Sequence, residues 1–182
     1  MLPDGYELRP LTADDAPGLA AAYRRNREHL APYDPLRDEA FYTDAGQARA
    51  VEAQLRAVAV GQVDPWTLWY DGEVVGRLNL NNIIRGVLQS ANVGYWVDRE
   101  LTGRGLATAA VGHAVDRARQ LRLHRLEAGT LVDNVASQKV LLRCGFEEFG
   151  LAPEYLFIAG RWQDHRLYQR ILHDDPAGNP VP

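Results

Sequence analysis

One segment decides the fold: residues 95–108 read YWVDRELTGRGLAT. The run up to Val97 has the composition of a β-strand, glycines at 103 and 105 form a short turn, and apolar residues recur at helical spacing from Leu106 onward. Because glycine has no Cβ, such a turn lets backbone N–H groups approach an anion closely. The start of the following helix adds about half a unit of positive charge. The segment therefore predicts a strand, a phosphate-binding turn and a helix.

The turn differs from two common nucleotide-binding motifs. No Gly-Lys-Ser/Thr follows it, as a Walker phosphate loop requires, and Ala107 and Thr108 stand where the dinucleotide fingerprint has its third glycine. Gly-x-Gly alone is also compatible with an ordinary loop at a helix start. The rest of the chain therefore decides the role of the turn.

The chain before this segment alternates between strand and helix patterns. A capping box at Thr12 opens one helix, and Asp44 is the predicted cap of a second helix over 45–60. Asp71-Gly72 favours a tight hairpin turn between two of the strands. The predicted strands lie over residues 6–10, 66–70, 74–84 and 89–97.

The chain after the segment closes the sheet. A long helix runs to Leu121, a strand follows over 125–130, and Asn134 caps a further helix. The helical crossover predicts that strand 125–130 pairs in parallel with strand 89–97. Strands over 146–158 and 161–172 then form a hairpin. The fold class is α/β (α+β): a single mixed, mostly antiparallel sheet of about seven strands with about four helices.

Composition indicates one soluble domain. The 182 residues are 46% hydrophobic and 24% charged, which is ordinary for a globular protein. We expect a single domain over 1–173 and a disordered, proline-rich tail over 174–182. The chain shows neither a signal segment nor an apolar run of the roughly 18 residues that span a bilayer, so a cytoplasmic protein without a membrane partner is expected.

Charge and residue counts exclude several function classes. The net charge of −4 argues against a nucleic-acid partner. The single cysteine, Cys144, excludes an internal disulfide and a multi-cysteine zinc site, and its apolar neighbours indicate a buried structural thiol. The five histidines show no paired metal spacing, and no Gly-x-Ser-x-Gly elbow is present. Metal-dependent and serine-hydrolase chemistry are therefore not expected.

Two motifs resemble the GNAT superfamily of N-acetyltransferases. Residues 102–107, TGRGLA, match the last half of its pyrophosphate-loop pattern Gln/Arg-x-x-Gly-x-Gly/Ala, with Thr102 in place of the usual Gln or Arg. Residues 133–146, DNVASQKVLLRCGF, resemble its Asn-x-x-Ser helix and the Gly-Phe start of the next strand. Residues 75–86, 93–97 and 154–165 resemble the RimJ/RimL branch, which acetylates ribosomal-protein N-termini. The resemblance covers most of the chain, from about Tyr6 to Leu172.

The resemblance implies acetyl-CoA as co-substrate and assigns residues to it. The strand ending at Val97 would splay from strand 125–130, and pantetheine would lie in the gap against backbone groups of Trp96 and Val97. Asn134 would bond the pantetheine amide as well as cap its helix, and Lys139 and Arg143 would either reach the adenosine end or remain solvated. The pyrophosphate would be held by the turn and helix start: Thr102, Gly103, Arg104, Gly105, Leu106, Ala107 and Thr108.

The resemblance also assigns the chemistry of direct acetyl transfer. This reaction needs a neutral amine, an oxyanion donor and a proton for the departing thiolate. Glu154 matches a carboxylate base of related enzymes; the alternative is a solvated glutamate at a strand start. Ser137 matches the acid position; the alternative is a serine bonded to helix backbone. The backbone N–H of Val97 would stabilise the oxyanion.

Three functions remain open on the sequence alone. The first is acetyl transfer to the N-terminal α-amine of a protein or peptide, such as a ribosomal protein, with residues 26–42 shaping the acceptor groove. The second is acetylation of a small-molecule amine, such as an antibiotic or polyamine. The third is a non-catalytic acyl-CoA-binding module. A monomer and a homodimer are both compatible with the sequence.

Overall fold

A computed structural model of the chain describes residues 2–173. Within them, the seven strands form one sheet, as predicted, and its order is β1-β2-β3-β4-β5-β7-β6. The expected tail over 174–182 lies outside the described residues. The strands are β1 (Tyr6–Pro10), β2 (Asp64–Tyr70), β3 (Glu73–Ile84), β4 (Ser90–Val97), β5 (Arg125–Leu131), β6 (Glu147–Ile158) and β7 (Arg161–Ile171).

The described residues form five α-helices, one more than the sequence suggests. The additional helix, α2, is a single turn and is too short to show a helical period. The helices are α1 (Ala16–Arg25), α2 (Arg27–Leu30), α3 (Asp44–Ala59), α4 (Leu106–Gln120) and α5 (Val135–Arg143). None of them is long and apolar enough to span a membrane.

The predicted cap of α3 is wrong by one residue. Thr43 is the N-cap, and its hydroxyl accepts a hydrogen bond from the N–H of Gly46 at 3.0 Å. Asp44 is instead the first helical residue, where its negative charge interacts favourably with the helix dipole. Two adjacent residues could both cap a helix here, and only the backbone conformation of Thr43 decides between them.

Strands β4 and β5 diverge, as expected. They pair in parallel at only three positions, which join Ser90–Asn92 to residues 125–127. Strand β4 then continues to Val97 along β3, and β5 continues to Leu131 along β7. The second half of β4 therefore borders a gap in the sheet.

Helices pack against both faces of the sheet on either side of this gap. On one face, α4 and α5 bury Val111 and Leu141 against Leu126 of β5. On the other face, α1 and α3 bury Leu19 and Val51 against β3. Each large apolar side chain buried in this way contributes about 1.5–3 kcal/mol. The diverging ends of β4 and β5 therefore lie between the α4–α5 layer and the α1–α3 layer.

Candidate active site

The turn that enters α4 has the backbone of an anion site. Gly103 and Gly105 have φ of +78° and +80°, and a Cβ at either position would meet no atom within 4 Å. Gly105 is the N-cap of α4, no side chain caps the helix, and its first turn contains no acidic residue. The first N–H groups of α4 are thus left for a ligand, and the pyrophosphate site stays a prediction with which this backbone is compatible.

The side chains of the predicted loop differ in their surroundings. Leu106 is buried in the core and Ala107 packs beside it, so both can offer a ligand only backbone N–H groups. The hydroxyl of Thr102 donates to Arg99 O at 2.9 Å, and Arg104 is exposed with Nη1 3.4 Å from the Tyr6 hydroxyl. The carbonyl of Thr108 accepts a hydrogen bond from the Cys144 thiol. Cys144 is buried, as predicted.

A buried carboxylate anchors the loop, and sequence reasoning missed it. Asp98 is 3% exposed and accepts hydrogen bonds from Arg25 Nε at 2.6 Å and Asn26 Nδ2 at 3.0 Å, while Asn26 Oδ1 accepts from Arg99 N–H at 2.9 Å. Burial alone would raise the pKa of Asp98, but the hydrogen bonds from Asn26 and Arg25 outweigh it and the pKa is lowered. The end of α1 and the start of the loop are therefore tied together.

Backbone direction along β4 identifies the groups that face the gap. The N–H of Asp98 donates to Val75 O at 2.8 Å, on the β3 side. Because backbone groups alternate along a strand, the N–H groups of Val97 and Tyr95 point away from β3 and into the gap. Trp96 has its carbonyl on the β3 side, and its indole packs against Tyr23 on the α1 face.

The gap is bridged by a side-chain pair that the sequence did not reveal. The Tyr95 hydroxyl lies 2.8 Å from Ser137 Oγ, which joins β4 to the first turn of α5. Burial raises the pKa of Tyr95 to about 12, although the hydrogen bond with Ser137 lowers this pKa to a smaller extent. Tyr95 thus stays protonated at neutral pH and holds Ser137 in place.

The residues predicted around α5 lie on the same helix. Asn134 caps it, with Oδ1 accepting from Ser137 N–H at 3.1 Å. Among residues 2–173, no hydrogen bond involves Asn134 Nδ2, so the amide N–H₂ is available to a pantetheine carbonyl. Lys139 and Arg143 are exposed one turn apart on α5.

Glu154 makes no hydrogen bond to the Ser137–Tyr95 pair. It is exposed within β6, not at a strand start, where the pairing to β7 is irregular between Ala152 and Leu156. Its φ is +47°, and its N–H donates to Asp164 Oδ1 at 2.8 Å. Among the described residues, its carboxylate makes no hydrogen bond or ion pair. Backbone strain of this kind clusters at functional sites, and the carboxylate is free to accept a proton, so Glu154 remains the predicted base.

A cleft of about 440 Å³ opens on the α1 face of the gap. Strands β3 and β4 form its floor, and part of the segment over 26–42 forms its wall. The turn between β6 and β7 contacts this wall, since Ala159 N–H donates to Asp34 O at 3.1 Å. Its lining includes Tyr23, Asp34, Arg37, Gln54, Arg77, Asn79, Gly94 and Trp96.

Comparison with known proteins agrees with this geometry. Residues 6–147 match the family model described as "Acetyltransferase (GNAT) domain", which defines the class of protein as an acyltransferase. The chain belongs to the GNAT family of acetyltransferases.

The relatives and structural neighbours include ribosomal-protein acetyltransferases. The chain is 35% identical over 171 residues to the [Ribosomal protein uS5]-alanine N-acetyltransferase of Escherichia coli, which covers 90% of this chain and 86% of the relative. A ribosomal-protein-S5-alanine acetyltransferase from Vibrio fischeri superimposes with a TM-score of 0.90 at 31% identity, covering 96% and 97% of the two chains. Mycobacterium smegmatis RimJ in complex with CoA-disulfide superimposes at 0.88 with 32% identity, covering 94% and 84%.

Proposed function

We propose that this acetyltransferase moves the acetyl group of acetyl-CoA directly to the N-terminal α-amine of a protein or peptide, such as a ribosomal protein. The observation that carries the proposal is the 35% identity, over 90% of the chain, to the uS5-alanine N-acetyltransferase. The cleft beside the gap supports it, since about 440 Å³ accommodates a few residues of a peptide.

The donor would bind along the gap and the start of α4. Backbone N–H groups at the α4 N-terminus suit the pyrophosphate, and those of β4 suit the pantetheine amides, which would extend the sheet where β5 has diverged. Asn134 Nδ2 is available to the same chain of amides. Lys139 and Arg143 supply positive charge on the adjacent helix.

The chemistry follows from three groups around the thioester. Glu154 accepts a proton from the amine, directly or through water, because a protonated amine has no lone pair for attack. The amine nitrogen then bonds to the thioester carbon, and the Val97 N–H stabilises the resulting oxyanion. The C–S bond breaks and the thiolate takes the proton of Ser137. The nitrogen releases its second proton, which restores the Ser137 hydroxyl through solvent, so the products are an N-acetyl amine and CoA, with the first amine proton on Glu154.

The proposal is tested first by binding and then by turnover. Isothermal titration with acetyl-CoA and with CoA measures the donor site without knowledge of the acceptor. Turnover is then compared for peptides with free N-termini, for the same peptides blocked at the N-terminus, and for polyamine and aminoglycoside amines. Acetylation of free N-termini alone supports the proposal, and acetylation of the small amines alone overturns it. Tight CoA binding without transfer to any amine identifies the non-catalytic alternative.

Replacing Glu154 tests the assignment of the base. Glu154→Gln keeps the size of the side chain and removes its basicity, so kcat should fall about 10²-fold or more at neutral pH while the Kd of acetyl-CoA is unchanged. Glu147→Gln, an exposed position on the same strand, is the matched control and should keep wild-type kcat. An unchanged kcat of the Glu154 variant at all pH values removes Glu154 as the base.

A further inference from the structure

We propose that Arg77 binds a carboxylate of the acceptor and so selects amines that carry a carboxylate within a few bonds or residues of the reacting nitrogen. The inference rests on the proposed function to the extent that the cleft is where the acceptor amine enters. It adds a specificity-determining residue and a chemical class of acceptor.

Arg77 is buried and incompletely satisfied. It is 7% exposed, lines the floor of the cleft, and donates from Nη2 to Gln54 Oε1 at 2.6 Å and to Asn79 Oδ1 at 3.3 Å. Its Nε has no hydrogen-bond partner, and no hydrogen bond is made by Nη1 within residues 2–173. Two neutral amides therefore hold the guanidinium in place while part of its donor set is unused.

The charge of Arg77 also lacks a counter-ion. The other arginine of the cleft, Arg37, is paired with Asp34 at 3.0 Å. No carboxylate forms an ion pair with Arg77 in the described part of the chain. A buried charge without a partner is costly, and removing that cost is a strong reason to bind an anion.

The position of Arg77 suits the reaction. It lies opposite Trp96 in the β3–β4 pairing, and its neighbour Asn79 lies opposite Gly94. Directly opposed side chains are about 4.5–5.5 Å apart, so Arg77 is one strand from the β4 backbone that borders the gap. A group held there is close to an amine at the thioester.

A carboxylate is the group that fits these observations best. The planar guanidinium matches a carboxylate with two parallel hydrogen bonds, and charge-assisted bonds are about twice as strong as neutral ones. Two acceptors offer this chemistry near an α-amine: a peptide with Asp or Glu near its N-terminus, and a free amino acid. The shared carboxylate defines the inference, and the test separates the two sources.

The test uses matched acceptors on the unaltered protein. Peptides of the form Ala-Xaa-Gly-Gly-amide, Ala-Gly-Xaa-Gly-amide and Ala-Gly-Gly-Xaa-amide are compared with Xaa as Asp or as Asn, and alanine is compared with alaninamide. We expect at least a tenfold higher kcat/KM for the carboxylate member of at least one pair. Binding of the N-acetylated products to the CoA complex, measured by titration, should show the same preference without any turnover.

Variants then assign the preference to Arg77. Arg77→Gln should reduce the ratio between paired acceptors to near one, and Arg77→Lys should retain part of it. Arg56→Gln, at an exposed arginine of α3 outside the cleft, is the matched control and should keep the ratio. Thermal melting of each variant verifies folding, and the acceptor pairs on the wild-type protein decide the inference even if a variant does not fold.

The outcomes distinguish this inference from the proposed function. Equal kcat/KM within every pair, or a preference that survives Arg77→Gln, overturns the role of Arg77 while peptide turnover still upholds the proposed function. Acetylation of alanine alone, dependent on Arg77, upholds the inference and overturns the peptide acceptor. If nothing is acetylated, equal binding of paired products overturns the inference.

Discussion

At the scale of residues, Tyr95 connects the two halves of the candidate active site. Its hydroxyl reaches Ser137 across 42 positions of sequence, from the strand that borders the gap to the helix that follows β5. Burial keeps it protonated, and a neutral phenol can donate to the Ser137 oxygen. The position of the predicted acid therefore depends on a residue of β4.

Replacing Tyr95 should lower stability in a pH-dependent way. Tyr95→Phe removes the hydrogen bonds of the Tyr95 hydroxyl to Ser137 Oγ at 2.8 Å and to Ser137 O at 3.3 Å. The free energy of unfolding should therefore fall by about 1 kcal/mol or more at pH 7. Above the ordinary tyrosine pKa near 10, the unfolded chain loses the phenolic proton while the folded protein keeps it up to about 12. Wild-type stability contributed by Tyr95 is thus lost as pH rises, and the difference between the two proteins should shrink or reverse between pH 10 and 12.

Denaturant unfolding at a series of pH values measures this difference. Tyr70→Phe is the control, since Tyr70 is 39% exposed and its hydroxyl makes no hydrogen bond within residues 2–173, so its variant should keep the wild-type free energy of unfolding at pH 7. A difference between wild type and Tyr95→Phe that stays constant up to pH 12 would contradict the prediction.

Residue identities were only partly predictable from the sequence. The spacing of Asn134 and Ser137 is local, and the helix cap that they form is confirmed. Tyr95, Asp98 and Arg77 depend on partners 42, 72 and 23 positions away, which no local pattern contains. An arginine among the apolar residues of a predicted strand is the one sequence signal that could have drawn attention to Arg77.

At the scale of elements, the turn between β4 and α4 is anchored at its start and unobstructed at its two glycines. Asp98 fastens the start of the turn to α1, whereas Gly103 and Gly105 leave its tip open. The turn and the two flanking elements were predictable because glycine at positive φ and helical periodicity are local signals. The Asp98 anchor joins elements that are distant in sequence, so no local pattern predicts it.

Replacing Gly105 should weaken donor binding. Gly105→Val places a β-branched side chain at φ +80° and puts a Cβ where the anion would approach, so the Kd of acetyl-CoA should rise about tenfold or more. Gly112→Ala, within α4 and with no atom within 4 Å of the new Cβ, is the control. It should leave the Kd unchanged and raise the free energy of unfolding by about 1 kcal/mol. Titration of both folded variants measures this, and equal Kd values would remove the turn from the donor site.

At the scale of the whole molecule, the sheet is continuous except where β4 leaves β5. The antiparallel meander, the parallel pair and the closing hairpin were predictable, because a helical crossover and hairpin turns constrain the topology. The position of β7 between β5 and β6 was not predicted. The extent of the gap was not predictable either, since it depends on only three paired positions and on helices packed from both faces. The divergence is therefore a property of the assembled domain.

Hydrogen exchange should locate the donor in this gap. Without ligand, the N–H groups of Tyr95 and Val97 face away from β3 and should exchange faster than those of Gly94 and Trp96, which alternate toward it. Pantetheine amides pairing with β4 should protect Tyr95 and Val97 by tenfold or more at saturating CoA. CoA at about 100 times its Kd should also stabilise the folded protein by about 2.7 kcal/mol. This global stabilisation slows exchange at other N–H groups only where their exchange requires unfolding. Protection that is equal at all four positions, or absent from Tyr95 and Val97, would mean that the donor does not extend the sheet at β4.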